Sequence, residues 1–202
     1  MKRPPAPSGP DWGATALAAA GLAVSAYLTW TKWSGATALF CETGSGCDVV
    51  QASRYAVFLG LPTAAWGVLL YAAIGGLALT GLSPRRWVWA YALAVAGVAF
   101  SAYLTWLSLV ELGAVCPWCL ADAAIAAALL GWLLVRRPAP AGRRAPTRRG
   151  RVIAIGVAAA VVTVVFGMGV FAAGSPTGAA AYQESLARHL ASSGAIFYGA
   201  YW

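Results

Sequence analysis

The sequence predicts an all-α membrane protein, and three observations carry that expectation. Of its 202 residues, 60% are apolar and only 10% charged, whereas a soluble domain carries about 25% charged residues. Five apolar segments, residues 14–33, 62–82, 87–109, 116–135 and 152–173, each approach the ~20 residues that a spanning helix needs. The basic residues are also segregated. Short cytoplasmic loops retain Lys and Arg, and with the N-terminus inside, eleven of the fourteen fall on the inner side: Lys2, Arg3, Arg85, Arg86 and the seven arginines from Arg136 to Arg151. Lys32, Arg54 and Arg188 are left outside. The net charge of +8 therefore reads as a topology signal and not as a nucleic-acid-binding surface. Five crossings put the two termini on opposite sides.

Residues 1–13 read as a cytoplasmic tail. The first apolar segment follows Lys2 and Arg3 and precedes "ATA" at 36–38, which imitates a cleaved secretory signal. A signal's apolar core is usually shorter, about 7–15 residues. The segment also has a near-copy where no signal operates: "GLAVSAYLTW" at 21–30 recurs as "GVAFSAYLTW" at 97–106, in the third segment. Retention of the first helix is expected. The repeat itself has two readings, shared anchoring of Tyr and Trp at the outer interface or duplicated helix packing through Gly, Ala and Ser.

The stretch "RRPAPAGRRAPTRRGR" at 136–151 is rich in Pro and Arg and builds no core. It reads as an inner connector and topology anchor, with anionic lipid headgroups as its contacts. Residues 174–202 follow the fifth segment on the outer side. There, 182–190 is helix-like and "AIFY" at 195–198 is β-prone. One helix and one strand do not fold alone, so this tail is expected to be the truncated start of an extramembrane domain. His189, the only histidine, reads as a solvated residue.

All four cysteines fall on the outer side, Cys41 and Cys47 after the first segment, Cys116 and Cys119 at the start of the fourth. Disulfides persist in oxidising compartments such as the bacterial periplasm. Cys116, Pro117, Trp118 and Cys119 form a C-x-x-C unit at a helix start, where proline is tolerated and the positive end of the helix favours thiolate. Two such thiols can close a disulfide and reopen it by attack of another thiolate. A structural disulfide is one alternative for this pair. Zinc is another, but a C-x5-C beside a membrane-edge C-x-x-C departs from the usual knuckle spacing, and no metal is expected. Cys41 and Cys47 lie in "CETGSGCD", whose glycines and short polar residues suit a mobile shuttle or, alternatively, a stapled loop. Four thiols only relay electrons. With no thiol on the inner side, the acceptor is expected within the bilayer, where a quinone would approach Cys119 laterally between helices. Asp122, one turn after Cys119, reads foremost as a carboxylate complementing the helix dipole, with proton delivery to a reduced quinone as the second reading.

With these residues in place, the sequence resembles the vitamin K epoxide reductase family, and specifically its bacterial homologues, which couple disulfide formation to quinone reduction. The motifs that carry the resemblance are Cys41 and Cys47, "CDVVQASRY" with Ser53 and Arg54, "GLPTAAWG", and "CPWC". They span about residues 14–173, taken as one transmembrane domain. The resemblance implies a four-helix transmembrane bundle around a quinone site, a peripheral fifth transmembrane helix, and a short half-helix capping the pocket. It also implies that Cys119 faces the quinone, that Cys116 exchanges with Cys47, and that Cys41 meets an external thiol. Ser53 falls at a polar quinone-site position, and Arg54 is a candidate for holding the cap or stabilising thiolate, or else an interfacial anchor. Thr63 and Trp66 stand where vertebrate members carry the Asn and Phe that flank the quinone, and Ala123 where they carry a Tyr. Vertebrate-type epoxide reduction and drug sensitivity are therefore not expected. The tail "LARHLASSGAIFYGAYW" resembles the opening of the thioredoxin-like domain fused to many bacterial members.

The function expected from these readings is that of a quinone-dependent thiol oxidase in the bacterial inner membrane. Electrons would pass from a thioredoxin-like periplasmic protein or fused domain to Cys41 and Cys47, then to Cys116 and Cys119, then to menaquinone, ubiquinone or a phylloquinone-type quinone. The alternative from another class is a non-enzymatic membrane scaffold with static disulfides.

Overall fold

The computed structural model describes residues 9–42, 44–140, 145–173, 185–186, 188–190 and 192–193. Five long helices and one short one account for most of them. α1 (Trp12–Ser34) starts at Asp11, whose carboxylate accepts the Ala14 amide at 3.1 Å and so satisfies one of the helix's orphan donors. The helix ends at Gly35, in the left-handed conformation (φ 69°) that favours glycine. α2 (Gly46–Ala52) and a single 3-10 turn (Arg54–Ala56) lead into a two-residue antiparallel hairpin, β1 (Val57–Phe58) and β2 (Leu61–Pro62), with Val57 opposite Pro62. Its turn residues Leu59 and Gly60 both have positive φ, as a type I′ turn requires. Then come α3 (Thr63–Leu79), α4 (Pro84–Val110), α5 (Pro117–Val135) and α6 (Arg149–Ala173). Proline opens both α4 and α5, with Ser83 and Cys116 as the respective caps.

Each of the five expected segments corresponds to one long helix. Four of them are long and apolar enough to cross a membrane, so the chain is a multi-pass membrane protein. α3 is shorter than its expected segment of 62–82. Its 17 residues fall below the usual ~20, because the hairpin takes Pro62 at one end and Gly81, with φ 84°, breaks the helix at the other.

α1 packs against α3 and α5, and α4 against the same two helices, so the four close a ring; α6 leans on the outer face of α4. Lipid supplies no hydrophobic drive between helices, and close packing of small residues takes its place. Ala14, Ala18 and Gly21 line the buried face of α1, and a side chain at Gly21 would overlap the ring of Tyr71 on α3. The main core gathers Tyr71, Ile74, Trp87, Tyr91, Leu129 and Leu133 in the half of the bundle that holds the N-terminus of α1. There the Trp132 indole donates to the Asp11 carboxylate at 3.0 Å and ties the end of α5 to the start of α1. The arginines at 85, 86, 136, 137, 148, 149 and 151 lie at this same end, and the four cysteines at the other.

In the tail, Ser185, Leu186 and Arg188–Leu190 are helical and His189 is exposed. The β-prone 195–198 and the closing "GAYW" lie outside the described residues.

Trp87 is fully buried, stacks on Tyr91 with ring centroids 5.2 Å apart, and donates its indole N–H to the Leu133 carbonyl at 2.9 Å. Trp87→Ala is expected to destabilise the bundle by about 3 kcal/mol or more, read as a lowered thermal midpoint of the detergent-solubilised protein.

A candidate redox site at one end of the bundle

α2 brings the first two cysteines together. Ser45 caps it by accepting the Asp48 amide at 3.3 Å, and the Asp48 carboxylate accepts the Gly44 amide at 2.9 Å, a reciprocal pattern close to a capping box. Cys47 therefore sits in the first turn of a helix, and the expectation that the whole of "CETGSGCD" forms a flexible loop is corrected: its last three residues belong to α2. Cys41 and Cys47 are joined in a disulfide with Cα atoms 5.2 Å apart. The segment before it is also pinned. The Leu39 amide donates to the Tyr27 hydroxyl at 2.8 Å, and the Trp118 indole donates to the Leu39 carbonyl at 2.8 Å.

Gly46 decides where α2 rests. A Cβ at this position would lie 2.5 Å from the carbonyl oxygen and 2.9 Å from the amide nitrogen of Val115. Glycine lets α2 lie directly on the backbone that precedes α5, and the second cysteine pair begins one residue later. The Cys47 and Cys116 sulfurs are 3.9 Å apart, and those of Cys116 and Cys119, both free thiols, are 2.8 Å apart. Cys116 caps α5, its sulfur accepting the Cys119 amide at 3.3 Å. The positive end of the helix and this donor both favour a thiolate at Cys116.

On its bundle side Cys119 opens into a cleft within the ring of α1, α3, α4 and α5 and under α2. Leu28, Val50, Pro62 and Leu104 supply apolar walls, and Thr63, Ser101 and Asp122 are among its polar groups. Apolar walls around a few polar groups, beside a thiol that can give up electrons, suit a quinone ring. α2, whose Val50 and Gln51 line the cleft, occupies the place of the expected capping half-helix.

The other sequence candidates divide. Thr63 lines the cleft and donates its hydroxyl to the Tyr55 carbonyl at 2.8 Å. Ser53 turns its hydroxyl back to the Val50 carbonyl at 2.7 Å and so closes the end of α2. Trp66 lines a separate groove between α3, α4 and α6, and its indole donates to the Phe58 carbonyl at 3.0 Å, steadying the hairpin. Arg54 forms an ion pair with Glu111 at 3.3 Å and lies over the Tyr55 ring. The Tyr55 hydroxyl also donates to Glu111. Burial, and then this bond, push the Tyr55 phenol above its ordinary range, so it remains a donor at neutral pH. The Arg54–Glu111 pair is about half exposed and adds little stability as an ion pair. Its role is to hold the turn after α2 against the end of α4.

Tyr55, Glu111 and the α2 cap were not singled out from the sequence. The Ser45-x-x-Asp48 spacing was a legible signal for the cap; Glu111, far from Arg54 in the chain, offered none.

The ring of helices and the cysteines at its rim define a multi-pass membrane protein with a disulfide redox centre. A family model, the vitamin K epoxide reductase family, matches residues 12–134, and the chain belongs to that family. Its members are oxidoreductases that generally use quinones, and oxidoreduction is the general function of this chain. The match covers α1 to α5 and stops before α6, short of the 14–173 expected from the sequence.

Gly46→Ala is expected to separate α2 from Val115. In a Cys41→Ser, Cys119→Ser background, formation of the Cys47–Cys116 disulfide should slow about tenfold, equivalent to roughly 1.4 kcal/mol, as followed by gel mobility after thiol trapping.

Proposed function

We propose that the protein is a thiol oxidase of the bacterial inner membrane, with its N-terminus cytoplasmic and its four cysteines on the periplasmic side, and that it passes electrons from a thioredoxin-like dithiol partner to a membrane quinone. The observation that carries this reading is the sulfur path: Cys41 bonded to Cys47, Cys47 at 3.9 Å from Cys116, Cys116 at 2.8 Å from Cys119, and Cys119 in the wall of the cleft.

The steps follow from thiolate–disulfide exchange. A partner thiolate attacks the Cys41 sulfur, which borders a surface groove formed by residues 35–38 and α2, and Cys47 leaves as thiolate. The partner's second thiol displaces Cys41, and the partner departs as a disulfide. Cys47 then attacks Cys116 of an oxidised Cys116–Cys119 pair, Cys119 leaves, and Cys41 closes on Cys47 to release Cys116. The loop pair is again oxidised and the Cys116–Cys119 pair holds two electrons and two protons. A bound quinone supplies the acceptor for both. As they leave, the Cys116–Cys119 bond re-forms. The chain's own contribution is to hold the sulfurs in sequence, to favour thiolate at Cys116, and to keep the final couple at the edge of an apolar cleft. Of the four residues proposed from the sequence as quinone contacts, Thr63 is the one that lines the cleft, and Ser53, Arg54 and Trp66 shape the end of α2, the turn after it and the hairpin.

In lipid nanodiscs, protein supplied with a reduced thioredoxin-like protein should reduce a short-chain ubiquinone analogue. Cys119→Ala should lose quinone reduction to background while its Cys41–Cys47 disulfide is still reduced by the partner. Full quinone reduction by that variant would refute the assignment.

A further inference from the structure

The geometry points to Asp122 as the group that carries protons between the Cys116–Cys119 pair and the quinone oxygens, held by Tyr71 and flanked by two serines from the internal repeat. This inference rests on the proposed quinone reaction and deepens it.

Asp122 lies one turn beyond Cys119 on α5, so the two share a helix face, and both line the cleft. A carboxyl group within a spanning helix is costly and is kept where it serves a function. Here its surroundings come from three other helices. The Tyr71 hydroxyl of α3 donates to its Oδ1 at 3.0 Å, and Ser25 on α1 and Ser101 on α4 lie beside the carboxyl group. Ser25 and Ser101 occupy the same position in "GLAVSAYLTW" and "GVAFSAYLTW". The correspondence extends further along the repeat: Thr29 donates to the Ser25 carbonyl at 2.7 Å, Thr105 to the Ser101 carbonyl at 2.8 Å, and Leu28 and Leu104 both line the cleft. The repeat therefore acts as a pair of matching walls on either side of α5, whose serines meet at Asp122.

The remaining cleft hydroxyls are committed elsewhere. Thr63 donates to the Tyr55 carbonyl, Thr105 to Ser101, Ser108 to Leu104, and Tyr55 to Glu111. Lys32, at the mouth, donates to the Gln51 carbonyl at 2.6 Å. The titratable or charged groups facing Asp122 are thus Tyr71 from α3, Cys119 on its own helix and Lys32 at the mouth; α1 and α4 present the serines.

The reaction oxidises two thiols and reduces one quinone, with two electrons and two protons crossing. The Asp122 carboxylate takes the Cys119 proton as the sulfur gives up its electrons, and hands it to a quinone oxygen. Cys116 closes the Cys116–Cys119 bond as a thiolate, and the second proton, lost to solvent when that thiolate formed, returns from solvent at the mouth of the cleft and passes by the same carboxylate. Asp122 ends each turnover as it began.

The test uses the full chain in nanodiscs. In single-turnover stopped flow, dithiothreitol-reduced protein mixed with a short-chain ubiquinone analogue should oxidise at least about a hundredfold more slowly in Asp122→Asn. The wild-type pH dependence should flatten, and Asp122→Glu should recover most of the rate. Oxidation of a reduced thioredoxin-like protein by the Cys41–Cys47 disulfide should be unchanged in both variants, which shows that they fold. In quinone-free protein, the infrared difference between oxidised and dithiol-reduced states should contain a carboxyl band that Asp122→Asn removes. A rate within twofold of wild type, or a carboxyl difference untouched by the substitution, would overturn the role of Asp122. If loss of rate in Asp122→Asn came with impaired Cys41–Cys47 exchange, Ser25→Ala/Ser101→Ala decides: a pH profile identical to wild type overturns the proposal, and a shifted one supports it. Failure of the underlying quinone reading is distinct, because wild-type protein would then oxidise no faster with the analogue than without it.

Discussion

Cys47 and Cys116 are 69 positions apart in the chain, and a backbone contact between Gly46 and Val115 puts their sulfurs within 3.9 Å. No side chain lies between the two segments at this point, so the approach is set by main-chain atoms, which have little freedom to drift. The cap at Ser45 and Asp48 fixes the orientation of α2, and the Trp118 and Tyr27 contacts to Leu39 fix the chain on the other side of the disulfide. The redox chemistry depends on this arrangement because exchange requires sulfur on sulfur; a displacement of a few ångströms breaks the sequence of donors and acceptors.

Below the rim, the constraint is the scarcity of water. Every polar group in the bundle needs an internal partner, and the structure meets this need largely through short-range bonds, with Thr and Ser hydroxyls turning back to carbonyls three or four residues earlier. Asp122 departs from this pattern, since its hydrogen-bond partner Tyr71 comes from α3, and Ser25 of α1 and Ser101 of α4 lie beside it. A single carboxyl thereby ties α5 to α3 in the wall of the cleft, and fold and site share one set of contacts.

The spans and the cysteine pairs were legible because each follows from local chemistry: lipid demands uninterrupted apolar runs, and C-x-x-C at a proline-opened helix start is a compact signal. The resemblance to the family was legible through ordered motifs, and the match over residues 12–134 supports it. What escaped was whatever depends on the approach of distant segments. Asp122 reads as an ordinary first-turn acid until Tyr71, Ser25 and Ser101 are seen around it. Arg54 finds Glu111 only when the end of α4 meets the turn after α2. The hairpin of two-residue strands is too short to leave a periodic pattern, and Trp66 was grouped with the quinone contacts on resemblance alone, whereas its indole steadies that hairpin. The repeat was visible as a pattern, but its purpose at Ser25 and Ser101 was not.

The exposure of the four sulfurs has a bearing on fidelity in the cell. Cys41, Cys47 and Cys116 retain only 7%, 1% and 2% of their accessible surface, with Cys41 at the edge of a surface groove and the more open Cys119 in the wall of the cleft. Small thiols in solution find little sulfur surface to attack, and the groove beside Cys41 is the approach left to a client. Such a layout works as an insulated conductor, in which stray reductants are denied a short circuit and the choice of client is left to the shape of the entrance.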